Sequence, residues 1–200
     1  MTDRKTPEII VERVSHERVK DFYEAYVESL EELFEVGFIS TTDPTSEELG
    51  SWEDWIKFLD EWWENDKEYH FQVIERSTDQ VVGGVFLNRV QRVYQMANMG
   101  YWIRTSRAGE GFATEASRLA ARYGFEKLRF QRLEIVVDVN HTSSLRIAEK
   151  LGAMREGLLR NRLQLHDSAC DAYMHSLIPS DYSISKLSDI GTSDGDSSHR

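Results

Sequence analysis

The sequence predicts an α+β fold. Hydrophobic periodicity switches between the helical and the extended repeat along the 200 residues, in the order β-α-α-β-β-β-α-β-α-β-β. Strand-like segments occur both as neighbours and separated by helices. Hydrophobic residues make up 40% and aromatics 11%, enough for a packed core, which excludes a wholly disordered chain.

Residues 9–14 (Ile-Ile-Val-Glu-Arg-Val) read as a first strand. Ser15 is placed to cap one helix whose apolar positions, Val19, Phe22, Tyr23, Tyr26, Leu30, Leu33 and Phe34, recur at spacings of three and four. Asp43-Pro44 reads as an N-cap with proline in the first turn, opening a short helix to Leu49. Gly50 ends that piece and Ser51 caps the next helix. Trp52, Trp55, Ile56, Leu59, Trp62 and Trp63 share one face of it, and Glu53, Asp54, Asp60, Glu61 and Glu64 the other. The tryptophan stripe reads as core packing rather than a ligand platform.

The period then changes to two. Phe71–Arg76 and Val81–Asn88 read as a hairpin across a Ser-Thr-Asp-Gln turn, and Met96–Arg104 as the next strand. Residues 105–111 read as loop and 112–129 as a helix with Phe112, Ala116, Leu119, Ala120 and Tyr123 on one face. Arg132–Val139 is a strand rich in Ile and Val. Thr142–Leu151 is a short helix stopped at Gly152, and two strands follow near 153–165 and 170–178. From Ser183 the chain loses its aromatics. The expectation is one domain over residues 1–182 and a disordered tail over 183–200.

Charge narrows the function classes. Twenty-four basic and 35 acidic residues give a net charge of −11, so nucleic acid is not an expected partner. Residues 30–68 alone hold thirteen acids and two bases, so the rest of the chain sums to zero. The single cysteine, Cys170, excludes an intramolecular disulfide and a Cys-built zinc site. No apolar run approaches the ~20 residues that cross a bilayer. The N-terminal Met-Thr-Asp-Arg-Lys-Thr-Pro has no apolar stretch behind its charges, so no secretory signal is expected. A soluble, cytoplasmic protein without membrane contact is the expectation, as a monomer or homodimer.

The most informative stretch is Arg104-Thr-Ser-Arg-Ala-Gly-Glu-Gly-Phe-Ala-Thr-Glu-Ala116. A strand ends, glycines at 109 and 111 bracket a tight loop, and a helix starts at once. Glycine lets the backbone approach a ligand closely. The amides of a first helical turn have no intrahelical partner, and with the helix dipole they suit a pyrophosphate. Arg107 can add a positive charge. An ordinary glycine turn before a helix has the same spacing. The run matches neither the nucleotide P-loop nor the dinucleotide fingerprint.

The context is more specific. Gly100-Tyr-Trp-Ile-Arg104 precedes the loop, and Val137-Asp-Val-Asn-His-Thr-Ser-Ser-Leu-Arg-Ile-Ala-Glu-Lys-Leu-Gly152 and Met154-Arg-Glu-Gly-Leu-Leu-Arg160 follow it. As a set, these segments from about 71 to 178 resemble the RimJ/RimL-type N-acetyltransferases of the GNAT superfamily. The resemblance implies a mixed central sheet with helices on both faces and a splayed strand pair holding acetyl-coenzyme A (acetyl-CoA). It implies main-chain bonds from Tyr101, Trp102 and Ile103 to the pantetheine arm. It places the pyrophosphate on the amides around Arg107, Ala108, Gly109, Glu110, Gly111, Phe112 and Ala113, with help from Thr114.

Against the family pattern, His141 stands where an asparagine commonly touches pantetheine. Ala148 stands where much of the superfamily has a proton-donating tyrosine. By the RimL-like pattern, Ser144 becomes the expected proton donor to the leaving thiolate. Asn98 and Leu163 occupy positions where relatives carry carboxylates, one of them a proposed general base. Deprotonating a lysine amine at pH 7 costs about 4.6 kcal/mol and an α-amine about 1.1 kcal/mol, so a chain without that base suits the α-amine.

The resemblance thus implies an acetyl-CoA-dependent N-acetyltransferase acting on a primary amine, with a protein or peptide N-terminus of the ribosomal-protein type first. A polyamine or amine-antibiotic acetyltransferase is the alternative, as is a non-catalytic acyl-CoA-binding module. The acidic segment suits a cationic acceptor, with Asp43, Glu47 and Glu48 as its expected contacts. His166, Cys170 and His175, with Asp167 and Asp171, match no common metal spacing and read as a turn between strands, so no metal is expected.

Overall fold

The computed structural model describes residues 6–39, 42, 51–166 and 168–182. The alternating segments form a seven-stranded sheet of β1 (Ile9–Arg13), β2 (Tyr69–Glu75), β3 (Gln80–Gln91), β4 (Met96–Ile103), β5 (Arg132–Asp138), β6 (Met154–Leu165) and β7 (Ser168–Leu177). Their spatial order is β1-β2-β3-β4-β5-β7-β6. All neighbours are antiparallel except β4 and β5. Helix α4 (Phe112–Glu126) connects that pair, and a parallel return requires such a crossover. The other helices are α1 (Val19–Glu28), α2 (Leu30–Glu35), α3 (Trp52–Glu64) and α5 (Thr142–Lys150).

Period-two alternation sends successive strand residues to opposite faces, and each face carries an apolar cluster. On one face Val73, Val85, Leu87, Leu133, Ile135 and Val137 pack against Phe112, Ala116, Ala120 and Phe125 of α4, with Leu145 and Ile147 of α5 alongside. On the other, Ile74, Val81, Phe86 and Trp102 pack against α1, α2 and α3. The mixed sheet with helices on both faces thus agrees with the α+β expectation. Among the described residues no helix is long and apolar enough to cross a membrane.

Close approach explains one glycine of the Gly100-Tyr-Trp segment. A Cβ on Gly100 would stand 2.1 Å from Phe86 Cζ on the neighbouring strand, so the ring lies where a side chain would be.

The N-terminal helices depart from the expectation. Helix α1 starts at Val19 with Arg18 as its N-cap and no side-chain cap, and Ser15 is spent in a turn whose carbonyl accepts from Arg18 N–H at 3.1 Å. The single helix expected from Val19 to Phe34 is two, broken at Ser29. Ser29 Oγ donates to the Ala25 carbonyl at 3.0 Å and accepts from Thr105 N–H at 3.3 Å. Such bonding to the carbonyl four residues back competes with the helical ladder. Ser51 does cap α3: its Oγ accepts from Asp54 N–H at 3.2 Å. Ile56 and Leu59 of α3 are buried and Trp55 packs edge-on against Tyr23, which fits the stripe's reading as core. The expected helix over 43–49 and the tail over 183–200 lie outside the described residues.

Candidate functional site

The site begins as a failure of pairing. Strands β4 and β5 are joined only through Met96, Ala97 and Asn98 against Arg132, Leu133 and Glu134. Beyond that each keeps its outer neighbour: β4 stays with β3 as far as Ile103, and β5 with β7 as far as Asp138. The facing edges therefore diverge.

Alternation decides which groups face the gap. Arg104 N–H donates to the Val82 carbonyl of β3 at 2.9 Å. Trp102, two residues earlier and opposite Gly84, points its main-chain groups the same way. The N–H and C=O of Tyr101 and Ile103 face the gap instead. Of the three residues expected to offer main-chain bonds there, Trp102 is spent on the sheet. Its indole goes to the α1 face, 5.3 Å from the rings of both Phe22 and Tyr26.

At the open end of β4 the chain makes a 3₁₀ turn over Thr105–Arg107 and enters α4. Gly109 and Gly111 take φ of +78° and +96°, a region that glycine enters without the penalty a Cβ brings. Gly111 is the N-cap of α4 and has no side chain to cap it. The first intrahelical bond is Glu115 N–H to the Gly111 carbonyl at 3.2 Å. The amides of Gly111, Phe112, Ala113 and Thr114 are left without helical partners. By contrast, Arg107 N–H donates to Arg104 at 2.9 Å and Ala108 N–H to Thr105 at 3.2 Å. Those two amides, expected in the anion cradle, are consumed by the turn.

Arg107 is also committed elsewhere. Its guanidinium forks onto Glu75 at 2.9 and 2.8 Å and bonds Glu110 at 3.0 Å. Hydrogen bonding to Arg107 holds the Glu75 carboxyl down at about 2, and the two acids push the arginine pKa up. With two carboxylates on one guanidinium, Arg107 brings no net positive charge to the loop. Helices α1 and α2 hold the other end of the turn. Arg104 pairs with Glu28, Ser106 Oγ donates to Glu28 at 2.7 Å, and Thr105 Oγ1 donates to Glu32 at 2.6 Å.

The gap and the loop open on one cavity of about 510 Å³. Tyr101, Trp102, Ile103, Arg107, Ala108, Gly109, Gly111, Phe112, Ala113, Thr114, His141 and Ser144 all line it; among the expected cofactor contacts only Glu110 does not. Tyr101 crosses to α5, where its hydroxyl donates to the Ser144 carbonyl at 3.3 Å, and burial pushes its pKa up to about 12. A side-chain hydrogen bond from Ser144 opposes that rise. His141 is the N-cap of α5 with no side-chain cap. Burial pushes the His141 pKa down.

Two groups of lining residues were not foreseen. Ser143, Arg146, Ile147 and Lys150 form one face of α5 on the cavity. Neither Arg146 nor Lys150 pairs with a carboxylate among the described residues, so they are the free cations that Arg107 is not. Their i, i+3, i+4, i+7 spacing was visible in the sequence, but not which way that face turns. Opposite, Glu32, Leu33 and Glu35 of α2, with its C-cap Val36, form a part-acidic wall. The expected acceptor contacts Asp43, Glu47 and Glu48 lie outside the described residues. Glu156 bonds Arg132 at 2.7 Å and Ser176 at 2.7 Å, a structural role on β5–β7–β6.

A family model described as an acetyltransferase (GNAT) domain matches residues 9–154. A probable N-acetyltransferase, YjcK of Bacillus subtilis, is 36% identical over 104 residues, which is 52% of this chain and 58% of that protein. The chain spans about half to two thirds of the length of the curated relatives it matches. Among solved structures, Mycobacterium smegmatis RimJ in complex with CoA-disulfide superposes with a TM-score of 0.79 at 18% identity, covering 90% of this chain and 89% of that one. Spermidine N-acetyltransferase from Vibrio cholerae, in complex with CoA and spermine, gives 0.72 at 17% identity, covering 87% and 97%. At these identities the two structures speak for the fold.

Proposed function

Because the chain belongs to the GNAT acetyltransferase domain family, we propose that it moves the acetyl group of acetyl-CoA to a primary amine, first of all the α-amine of a protein or peptide N-terminus. The observation that carries this reading is the divergence of β4 from β5 onto first-turn amides of α4 that have no helical partner. A flexible arm needs an extended slot with free main-chain groups, and a pyrophosphate needs N–H donors and positive charge. Tyr101 and Ile103 offer the first. Gly111, Phe112, Ala113 and Thr114 offer the second, and Arg146 and Lys150 bring charge to the same cavity.

Bound acetyl-CoA supplies the activated acetyl thioester. The protein does the rest by position. A main-chain N–H at Tyr101 or Ile103 stabilises the oxyanion that forms as the amine attacks. Ser144, on the cavity wall beside the Tyr101 hydroxyl, protonates the departing thiolate through its Oγ. The acidic wall of α2 favours a cationic acceptor. That wall also supports a second acceptor class, a polyamine, the substrate class named for the Vibrio cholerae relative.

The test is calorimetry with acetyl-CoA, followed by thiol release with short peptides bearing free α-amines, spermidine and an aminoglycoside. Binding followed by release with the peptides supports the reading. Release with spermidine alone selects the second. Binding without release from any acceptor makes the chain an acyl-CoA-binding module.

A further inference from the structure

We propose that His141, backed by Asp138, is the base that takes the proton from the attacking amine. This rests on the acetyl-transfer reading above and adds the proton acceptor that it lacks.

The two residues lie in one turn at the end of β5, beyond the stretch that pairs with β4. His141 N–H donates to the Asp138 carbonyl at 3.0 Å, so the residues are held together by main chain. The imidazole lines the cavity, and its ring nitrogens make no hydrogen bond among the described residues. Asp138 is 8% exposed. Its Oδ1 accepts from Asn140 N–H at 2.7 Å, while Oδ2 is buried with no partner among the described residues. A buried carboxylate oxygen left unpaired is costly, and a neighbouring ring N–H is the group that would satisfy it. With one ring nitrogen turned to Asp138, the other presents its lone pair to the cavity. That second nitrogen is the base, and the buried carboxylate stabilises the imidazolium that forms.

The remaining charges around the ring are placed for the same task. Asp138 is the anion beside it on β5. Tyr101 on β4 stays a neutral phenol. Burial disfavours the imidazolium while the charge of Asp138 favours it, and burial prevails, keeping the free base populated near neutral pH. Arg146 and Lys150 share the α5 wall. Glu32 and Glu35 stand on the opposite, α2 wall.

The proton balance closes. An ammonium acceptor gives one proton to His141 and becomes the neutral amine. Its lone pair forms the C–N bond at the thioester carbonyl, and the C–S bond breaks with its electron pair on sulfur. The second nitrogen proton passes through the Ser144 hydroxyl to that thiolate. The imidazolium returns its proton to solvent, so each turnover yields the amide, free CoA thiol and one proton.

The experiment follows the full chain by two readouts. Proton NMR titrates the His141 ring, identified by the signal missing from His141→Asn. The second readout is kcat against pH by thiol release, with acetyl-CoA and a hexapeptide bearing a free α-amine. The wild-type ring is expected to titrate below 6.5, and kcat to show an acid limb at that value in the ternary complex. His141→Asn should keep acetyl-CoA affinity within a few-fold, lose that limb and lower kcat by about 10²-fold or more. Asp138→Asn should move the ring titration lower still, because it removes the anion that favours the imidazolium. If Asp138→Asn does not fold, the His141→Asn profile decides alone. A wild-type limb retained in His141→Asn, or a ring titration unmoved in a folded Asp138→Asn, overturns the dyad while leaving acetyl transfer intact. A wild type that binds no acetyl-CoA, or releases no thiol with the peptide or with spermidine, overturns the acetyl-transfer reading, and the dyad with it.

Discussion

Replacing Gly111 by alanine separates a backbone effect from a ligand effect. Gly111 caps α4 at φ +96° and ψ −3°. An alanine Cβ there would meet Pro7 Cδ at 3.6 Å, an ordinary contact, so the perturbation is conformational and not a clash. Holding a residue with a Cβ in the left-handed region costs about 1–2 kcal/mol. For a chain of this size that lowers Tm by roughly 2–8 °C. The loop relieves the strain by turning φ negative, and the first-turn amides then swing away from the cavity. One charge-assisted hydrogen bond lost to a phosphate is worth about 1.5–3 kcal/mol, or roughly 10- to 150-fold in acetyl-CoA affinity. Gly152, just past α5, supplies the control: its φ is +75° and a Cβ there would meet nothing within 4 Å. Gly152→Ala should cost a similar Tm and leave affinity within about two-fold, since the two sites share no contact. Calorimetry and thermal melts of both variants decide. Wild-type affinity in a folded Gly111→Ala would refute the reasoning that these amides hold the phosphates, and equal losses in both variants would make the effect global.

Gly100→Ala puts a Cβ 2.1 Å from Phe86 Cζ, and overpacking of that kind costs about 1–3 kcal/mol, seen as a lower urea midpoint. Ser144→Ala should lower kcat by about 10²–10⁴-fold while acetyl-CoA affinity holds within a few-fold; unchanged turnover would remove Ser144 from the proton path. Arg146→Ala with Lys150→Ala should weaken acetyl-CoA binding at low salt and flatten its salt dependence, which calorimetry at two ionic strengths measures. Hydrogen bonds from Arg104, Arg107 and Arg132 hold the Glu28, Glu75 and Glu156 carboxyls at about 2, against 4.5 when free. The folded state binds fewer protons than the unfolded chain between those values, so this stability is complete above pH 4.5 and lost as pH falls toward 2. Urea midpoints should drop from pH 5 to pH 3, and less so in Glu75→Gln.

Strand and helix identities were legible wherever the signal was local. Alternation over Met96–Ile103, the glycine loop, the apolar stripe of α4 and the Ser51 cap need only neighbouring residues to be read. The Ser29 break was hidden, because the hydroxyl that turns the helix also meets Thr105, 76 positions away. Arg107 misled for the same reason. A cation beside a phosphate-like loop looks free until Glu75, 32 positions away, is seen bound to it.

The sequence by itself determined the element order, the loop chemistry and the residue types at the candidate site, because periodicity, capping and glycine dihedrals act within a few residues. Tertiary structure decided which groups are available. It split Tyr101 and Ile103 from Trp102 by the side on which β3 pairs, took Arg107 and two amides out of the anion cradle, and turned Arg146 and Lys150 toward the cavity. It also left Asp138 buried close in the chain to His141, with one oxygen unpaired among the described residues. Availability depends on which partner reaches a polar group first. That is set by strand register and burial across the whole sheet, where sequence distance carries no information.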